Sequence, residues 1–488
     1  MRTHMLTATL TVTLLGSIPA PALCQCSEPT FEAAQVVLPF GQRPTIRAIA
    51  DVNNDGFPDL LVSRTGGSIG SDSLHLLIGR GDGLFDESLA FGAGESVFDG
   101  LLTDMNGDEL PDLVMLENAQ GSRITVRLNA GAGQFAEPAE YTGPWDWLID
   151  VYAADINNDG LTDVLYEPLF DTLRVRMNMG GGVLGPEITT DLYLNEQPIL
   201  LHDLTGDGRP EIIFYDAVED NVRYFSDDGS GLFAAAHDLV PYAAFNLIVI
   251  DINGDGALDL ACQRIVEGTI RHESWLNDGT GQFSPGTPIV TPGSSSAYAD
   301  LDADGDLDLI VCHSGIAAIC RNTGGGVFAP PTTFPFPGDT ACFAIDQNGD
   351  GFLDLVGFRA GGFGHGDVVL LPGRGGGDFG PASTHTCQAS PNARLAALAD
   401  LNNDGLVDVI VNTRSFGPTF TGGELKSQLA ICPCPADFDG NGEREVSDIF
   451  AFLAAWFAGD SSADIDGVGG VQVADIFAFL SLWFAGCE

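Results

Sequence analysis

Short apolar runs recur through most of the chain, and each is cut by an acidic or a glycine-rich segment. DLLV, DVLY, EIIF, DLIV and DVIV each leave an acidic segment, and a β-branched run of this length between turn signals reads as a strand. An apolar segment enters the same acidic loops, as in TIRAIA before Asp51 and FNLIVI before Asp251, and a third run follows, as in RITVRLN, TLRVRMN and DVVLLPG. A glycine turn comes next, then a hydrophobic anchor: Phe85, Phe135, Phe233, Phe283, Phe328 or Phe379, with Leu184 standing in once. Glycine permits the positive φ of a tight turn, and the anchor is expected to open a fourth strand and pack between sheets.

The acidic segment reads D-x-[DNT]-x-D-[G/E]-x-x-[DE] and starts at Asp51, Asp104, Asp155, Asp203, Asp251, Asp300, Asp346 and Asp400. A period of roughly 50 residues with four strands per unit is that of a β-propeller blade. Eight loops imply a mainly-β, eight-bladed ring; a seven-bladed ring with one irregular repeat is the alternative. The last loop is followed by only two strands, near LVDVIV and SQLAI, whereas Phe31 begins a fourth-strand-like segment, FEAAQVVLPF, ahead of any first loop. The N-terminal segment is therefore expected to complete the last blade and remove the exposed sheet edges.

The same spacing predicts calcium. A hard divalent cation takes about six to eight oxygens, and side chains at loop positions 1, 3, 5 and 9 with a carbonyl at 7 wrap one ion, glycine at 6 allowing the bend. The sets are Asp51, Asn53, Asp55 and Asp59; Asp104, Asn106, Asp108 and Asp112; Asp155, Asn157, Asp159 and Asp163; Asp203, Thr205, Asp207 and Glu211; Asp251, Asn253, Asp255 and Asp259; Asp300, Asp302, Asp304 and Asp308; Asp346, Asn348, Asp350 and Asp354; Asp400, Asn402, Asp404 and Asp408. The sixth is richest in carboxylates and is expected to bind most tightly. Glu109 at the second loop's bend, and Thr205 with Glu211 in the fourth, predict weaker sites. Strand-forming residues follow each loop, so these are not EF-hands, and the ions' expected role is structural.

Over residues 31–431 these units resemble the FG-GAP or VCBS repeats of integrin-type β-propellers. That resemblance implies a calcium-binding propeller.

From Cys432-Pro433-Cys434-Pro435 onward the pattern turns helical and duplicates with an offset of 27 residues. Ile449, Phe452, Leu453 and Trp456, with Ile476, Phe479, Leu480 and Trp483, recur at helical spacing and predict two packed amphipathic helices. Oxygens at Asp437, Asp439, Asn441 and Asp448, and at Asp464, Asp466 and Asp475, have EF-hand-like spacing; Val468 weakens the second set. Residues 432–488 resemble dockerin, in a subtype closed by Gly-Cys. This implies a small all-α EF-hand-like module and a cohesin-like partner touched by Val446, Ser447, Val473 and Ala474. The Ser-Thr pair common in cellulosomal dockerins is missing from these positions, which points to a different cohesin. Cys487 is a candidate partner for Cys434 or Cys432.

Lys and Arg number 20 against 68 Asp and Glu, a formal charge of −48, which argues against nucleic acid and anionic lipid as partners. Residues 1–22 carry Arg2 and His4, an apolar stretch, and Ala20-Pro21-Ala22, the pattern of an export signal peptide. No later stretch is long and apolar enough to span a bilayer, so the expected location is secreted or extracellular, with cell-surface attachment through the C-terminal module. Cys312 and Cys320 flank a predicted hairpin and are the candidate disulfide, while Cys24, Cys26, Cys262, Cys342 and Cys387 have no evident partner.

No catalytic set is recognisable. His272-Glu273 lacks a second histidine, and His202, His313 and His365 fall in different units. Trp145 and Trp147 lie in a connection unmatched elsewhere and suit either sugar stacking or core packing. Arg80-Gly81-Asp82 falls in an ordinary glycine turn. The expected function is thus a secreted, calcium-stabilised, non-catalytic binding or adhesion propeller, with a polysaccharide or surface as its ligand. The alternatives are a carbohydrate-active enzyme, either polysaccharide lyase or glycosidase, on the propeller scaffold, and a structural scaffold with no small ligand.

Overall fold

The computed structural model describes residues 30–485 except 32–34, 66–72, 92–96, 119–120, 144–146, 195–196, 294, 314, 339–340, 360–365, 388–392, 415–422, 432–437, 439–445, 461–462 and 464–469. Its strands form an eight-bladed propeller, and a two-helix module follows. A representative blade, the second, pairs Val97–Thr103, Asp112–Glu117, Arg123–Arg127 and Ala139–Thr142 antiparallel in that order. Each acidic loop joins the inner strand to the second, and each glycine turn joins the third to the outer one. In an up-and-down blade these two connections share one face of the ring, while the remaining connections lie on the other.

The second strands explain the unbroken apolar runs. Asp112–Glu117 and Asp163–Pro168 are buried at every position, because both faces of a blade meet a neighbouring blade. The apolar clusters lie in the seams: Val114, Leu116, Ile124 and Val126 of the second blade pack on Leu148, Val151, Val164 and Tyr166 of the third. Each such side chain contributes roughly 1.5–3 kcal/mol through burial.

Ring closure follows the sequence expectation with a shifted start. One strand, Gln35–Ala50, serves two blades: residues 35–42 pair with Gly423–Gln428 as the outer strand of the last blade, and residues 43–50 pair with Asp59–Thr65 as the inner strand of the first. The strand begins at Gln35, and Phe31 instead joins a short pairing of Thr30–Phe31 with Ala430–Ile431. The anchors also divide. Phe85 and Phe283 open strands, but Phe135, Leu184, Phe328 and Phe379 form isolated bridges to Asn129, Asn178, Asn322 and Gly373, closing the glycine turn before the outer strand begins.

A buried asparagine latches several seams. Asn129 Nδ2 donates to Val52 O at 2.7 Å, Asn178 to Met105 O at 2.7 Å, Asn277 to Leu204 O at 2.7 Å and Asn322 to Ile252 O at 2.9 Å. Each acceptor is the carbonyl at position 2 of the preceding blade's acidic loop. Gln347 Nε2 reaches Val407 O, at 2.8 Å, across the seventh seam. In the fourth blade Asp227 occupies the latch position and turns back on its own turn, accepting from Gly229, Gly231, Leu232 and Phe233 N–H.

The seam between the sixth and seventh blades has Gly373 at the latch position and is stapled instead by a Cys312–Cys342 disulfide, Cα–Cα 6.2 Å. This corrects the expected Cys312–Cys320 pair. On these strands Cys312 faces Ala317 and Cys320 faces Leu309, so pleating sends the two sulfurs to opposite faces. Cys320 and Cys262 are buried free thiols; Cys24, Cys26, Cys432, Cys434 and Cys487 lie outside the described residues.

The two helices, Val446–Ala458 and Val473–Ala485, pair through Phe452 and Phe479, stacked at 4.2 Å and 8°, with Phe438 edge-on to both. Ile449, Leu453, Trp456, Ile476 and Trp483 pack around them. Among the described residues no helix is long and apolar enough to cross a membrane.

Candidate functional site

The eight acidic loops share one backbone design. The carboxylate at position 1 accepts from the N–H groups at positions 5 and 6: Asp51 Oδ1 from Asp55 N at 3.1 Å and Oδ2 from Gly56 N at 2.8 Å, with the same pair made by Asp155, Asp251, Asp300, Asp346 and Asp400. Two residues per loop adopt positive φ. Position 6 was foreseen, and Glu109 takes it at 69° where Gly56 has 91°, so the second loop keeps its bend at a cost of about 1–2 kcal/mol in L-residue strain. Position 4 was missed: Asn54, Gly107, Asn158, Gly206, Gly254, Ala303, Gly349 and Asn403 all have positive φ. The asparagine and glycine enrichment there was the available signal, and Ala303 is the residue out of place.

Position 9 has a double role. It opens the second strand, fully buried, and its two oxygens tie the loop to the glycine turn of the same blade. Asp59 accepts from Val52 N and Gly79 N, both at 2.8 Å, and Asp112, Asp163, Asp259, Asp354 and Asp408 repeat the pattern. Burial pushes the carboxyls of Asp59, Asp163, Asp259, Asp308 and Asp354 up to about 6, and that of Asp408 to about 8, helped by the carboxylates at positions 1 and 5 in most of them. Acids held this way lower their energy by taking up a proton or a cation.

The sixth loop fits a cation best. Carboxylate oxygens of Asp300, Asp302 and Asp304 lie within 4.8 Å of one another. Asp308 accepts from Asn322 N, but its Oδ2 is buried with no hydrogen-bond partner, as is Asp302 Oδ1. Buried carboxylate oxygens with nothing to accept from, next to further carboxylates, are what a hard-cation site offers. Arg321 stands 3.8 Å from Asp302 as a partial counter-charge.

Elsewhere the chain competes for the same atoms. In the fourth loop Thr205 donates to Glu211 and Arg209 pairs with Asp207. In six other loops the asparagine at position 3 donates to the aspartate at position 5: Asn53, Asn106, Asn157, Asn253, Asn348 and Asn402 bond Asp55, Asp108, Asp159, Asp255, Asp350 and Asp404.

Of the C-terminal set, Asp437, Asp439, Asn441, Asp464 and Asp466 lie outside the described residues. Asp448 and Asp475 are buried in the first turns of their helices, and Asp475 accepts from Gln472 N at 2.6 Å, a capping interaction. Val446, Val473 and Ala474 are exposed and Ser447 is half-buried. Trp147 is half-buried on the face opposite the acidic loops; Trp145 lies outside the described residues. His272 is buried, and burial holds its ring down at about 4, as expected of a neutral core histidine.

No curated protein matches the sequence. Similar solved structures include an Agrocybe aegerita lectin that recognises non-reducing terminal N-acetylglucosamine, at 20% identity and TM-score 0.43 over 71% of this chain and 94% of that one. Saccharomyces cerevisiae Sqt1 is similar at 10% identity and TM-score 0.47, covering 81% and 98%, and the V. cholerae biofilm matrix protein Bap1 at 13% and 0.35, covering 83% and 71%. The FG-GAP-like repeat model matches residues 51–115, 104–166, 203–262, 300–357 and 346–411. These matches cover more than half of the chain, and each spans consecutive acidic loops or a blade in the ring, so the chain belongs to the FG-GAP-like repeat family.

Proposed function

We propose that this is a secreted, non-catalytic propeller that binds a polysaccharide or surface ligand, with calcium ions as structural elements of its acidic loops. One observation carries the metal reading: in the sixth loop three carboxylates converge while Asp302 Oδ1 and Asp308 Oδ2 are buried and unpartnered. Asp300, Asp302, Asp304 and Asp308 would hold the ion there, and the loops at Asp51, Asp155, Asp251, Asp346 and Asp400 carry the same ligand positions, where an ion would displace the hydrogen bond between positions 3 and 5. Calcium would supply charge neutralisation to loops that also accept the latches of neighbouring blades. The binding role rests on a rigid ring whose acidic residues are committed to its own loops.

Residues 432–488 act, in this reading, as a dockerin-like anchor to an extracellular cohesin-like partner. The exposed Val446, Val473 and Ala474, repeated on two helices, support that reading. The test is retention of the full chain on a panel of polysaccharides in millimolar calcium, with soluble products assayed alongside. Retention without product release is the expected result; product release would replace this reading with a carbohydrate-active enzyme.

A further inference from the structure

An open cleft of about 490 Å³ lies in the seam between the first and second blades, lined by Leu89, Phe91, Gln134 and Phe135 with Arg127 among them. Its volume is in the range of small-molecule sites. Arg127 stands over the Phe91 ring at 5.6 Å, its Nε is buried without an acceptor, and no carboxylate of a described residue lies within ion-pair distance of it. On the same face of the strand, two residues back, the Thr125 hydroxyl is also buried and unpartnered.

The next repeat shows what is missing. Arg127 stands two residues before the latch Asn129, as Arg176 stands before Asn178. Arg176 likewise lies over an aromatic ring, Tyr141 at 5.5 Å, but there the chain supplies a carboxylate: Glu187 sits 3.8 Å from Arg176 and accepts from the Tyr166 hydroxyl at 2.7 Å. Glu187 follows Asn178 by nine residues, and the residue nine after Asn129 is Pro138. The second blade thus keeps the cation and the ring and lacks the anion. Arg127 is half-buried with its Nε shut from solvent, and its planar fork, with no counter-charge among the described residues, matches a carboxylate.

We propose that this seam binds a small carboxylate with an apolar body, the carboxylate on Arg127 and the body against Leu89 and Phe135. The cleft adjoins the first blade's acidic loop, since a Cβ on its lining residue Gly133 would meet Asn53 Cβ at 3.6 Å, so calcium is kept present throughout the test.

The test titrates 3-phenylpropanoate and, separately, 3-phenylpropan-1-ol into the full chain in calcium at physiological salt, read by saturation-transfer NMR and calorimetry. The carboxylate is expected to saturate the protein in the millimolar range or below, and the alcohol to bind at least about tenfold more weakly. Arg127→Gln should cost the carboxylate about tenfold or more. Pro138→Glu should do the same while leaving the fold intact, by restoring the internal ion pair of the third blade; it decides the matter should Arg127→Gln fail to fold. Equal binding of acid and alcohol, unchanged affinity in Pro138→Glu, or no saturation by either compound would overturn the proposal.

Discussion

The asparagine latch makes the most quantitative prediction. Asn277 is 3% exposed. Its Nδ2 donates to Leu204 O at 2.7 Å and to Leu258 O at 3.1 Å, while its Oδ1 accepts from Gly279 N at 3.2 Å and Gly281 N at 3.1 Å. Asn277→Ala removes all four bonds and leaves two carbonyls and two N–H groups to find other partners in a closed seam. A net hydrogen bond is worth about 0.5–1.5 kcal/mol and an orphaned buried group costs about 1–3. Allowing for relaxation, the expected loss is about 3–5 kcal/mol. Asn277→Asp separates hydrogen bonding from volume: it keeps both accepting bonds but sets an oxygen against two carbonyl oxygens, so it should destabilise at least as much. Urea unfolding in millimolar calcium, followed by far-ultraviolet circular dichroism, reads both variants. A loss below about 1 kcal/mol for both would refute the latch as an energetic element of the ring.

Three further outcomes follow from the same geometry. Ala303→Gly should stabilise the protein by about 1 kcal/mol, since Ala303 holds a φ of 60° that glycine adopts without strain; an unchanged or lower urea midpoint would contradict this. Replacing both Cys312 and Cys342 by serine opens a loop of sequence separation 30 and should cost about 3–4 kcal/mol in the chain-entropy account, whereas Cys320→Ser should leave sensitivity to reductant unchanged. In chelator, stability should fall as pH rises from about 4 towards 8. The carboxyls of Asp59, Asp163, Asp259, Asp308 and Asp354 sit near 6, and Asp408 near 8, against an ordinary 3.8, so the folded state holds their protons more tightly. Their contribution is complete below the unfolded pKa and is lost as pH climbs through the folded one. Calcium in place of the proton should flatten that slope, and a chelated protein that gains stability over this range would contradict it.

Much of the fold was legible because a propeller repeats its instructions. Eight acidic loops pointed to eight blades, and the missing last strand together with the spare N-terminal segment foretold how the last blade is completed, though not that one strand, Gln35–Ala50, serves two blades. What escaped depended on pairs distant in sequence. The asparagines ending RITVRLN and TLRVRMN were visible, but their acceptors, Val52 and Met105, lie 77 and 73 residues away. Cys342 was invisible as a partner for the same reason, although pleat parity alone argued against pairing Cys312 with Cys320. Within the loops the glycine at position 6 drew notice and the left-handed position 4 did not, because asparagine and alanine mask a conformational requirement that glycine advertises. Arg127 read as one more strand residue until the third blade showed the carboxylate its counterpart owns.

If calcium in these loops holds the ring together, its removal lowers the melting midpoint of the protein. The full chain is heated in about 5 mM calcium and again in excess chelator. With dissociation constants of about 10⁻⁴ M, each occupied loop adds about 2 kcal/mol. At roughly 2 cal/mol/K of unfolding entropy per residue, several occupied loops together predict a midpoint more than about 10 °C lower in chelator. Coincident melts in calcium and chelator would contradict it.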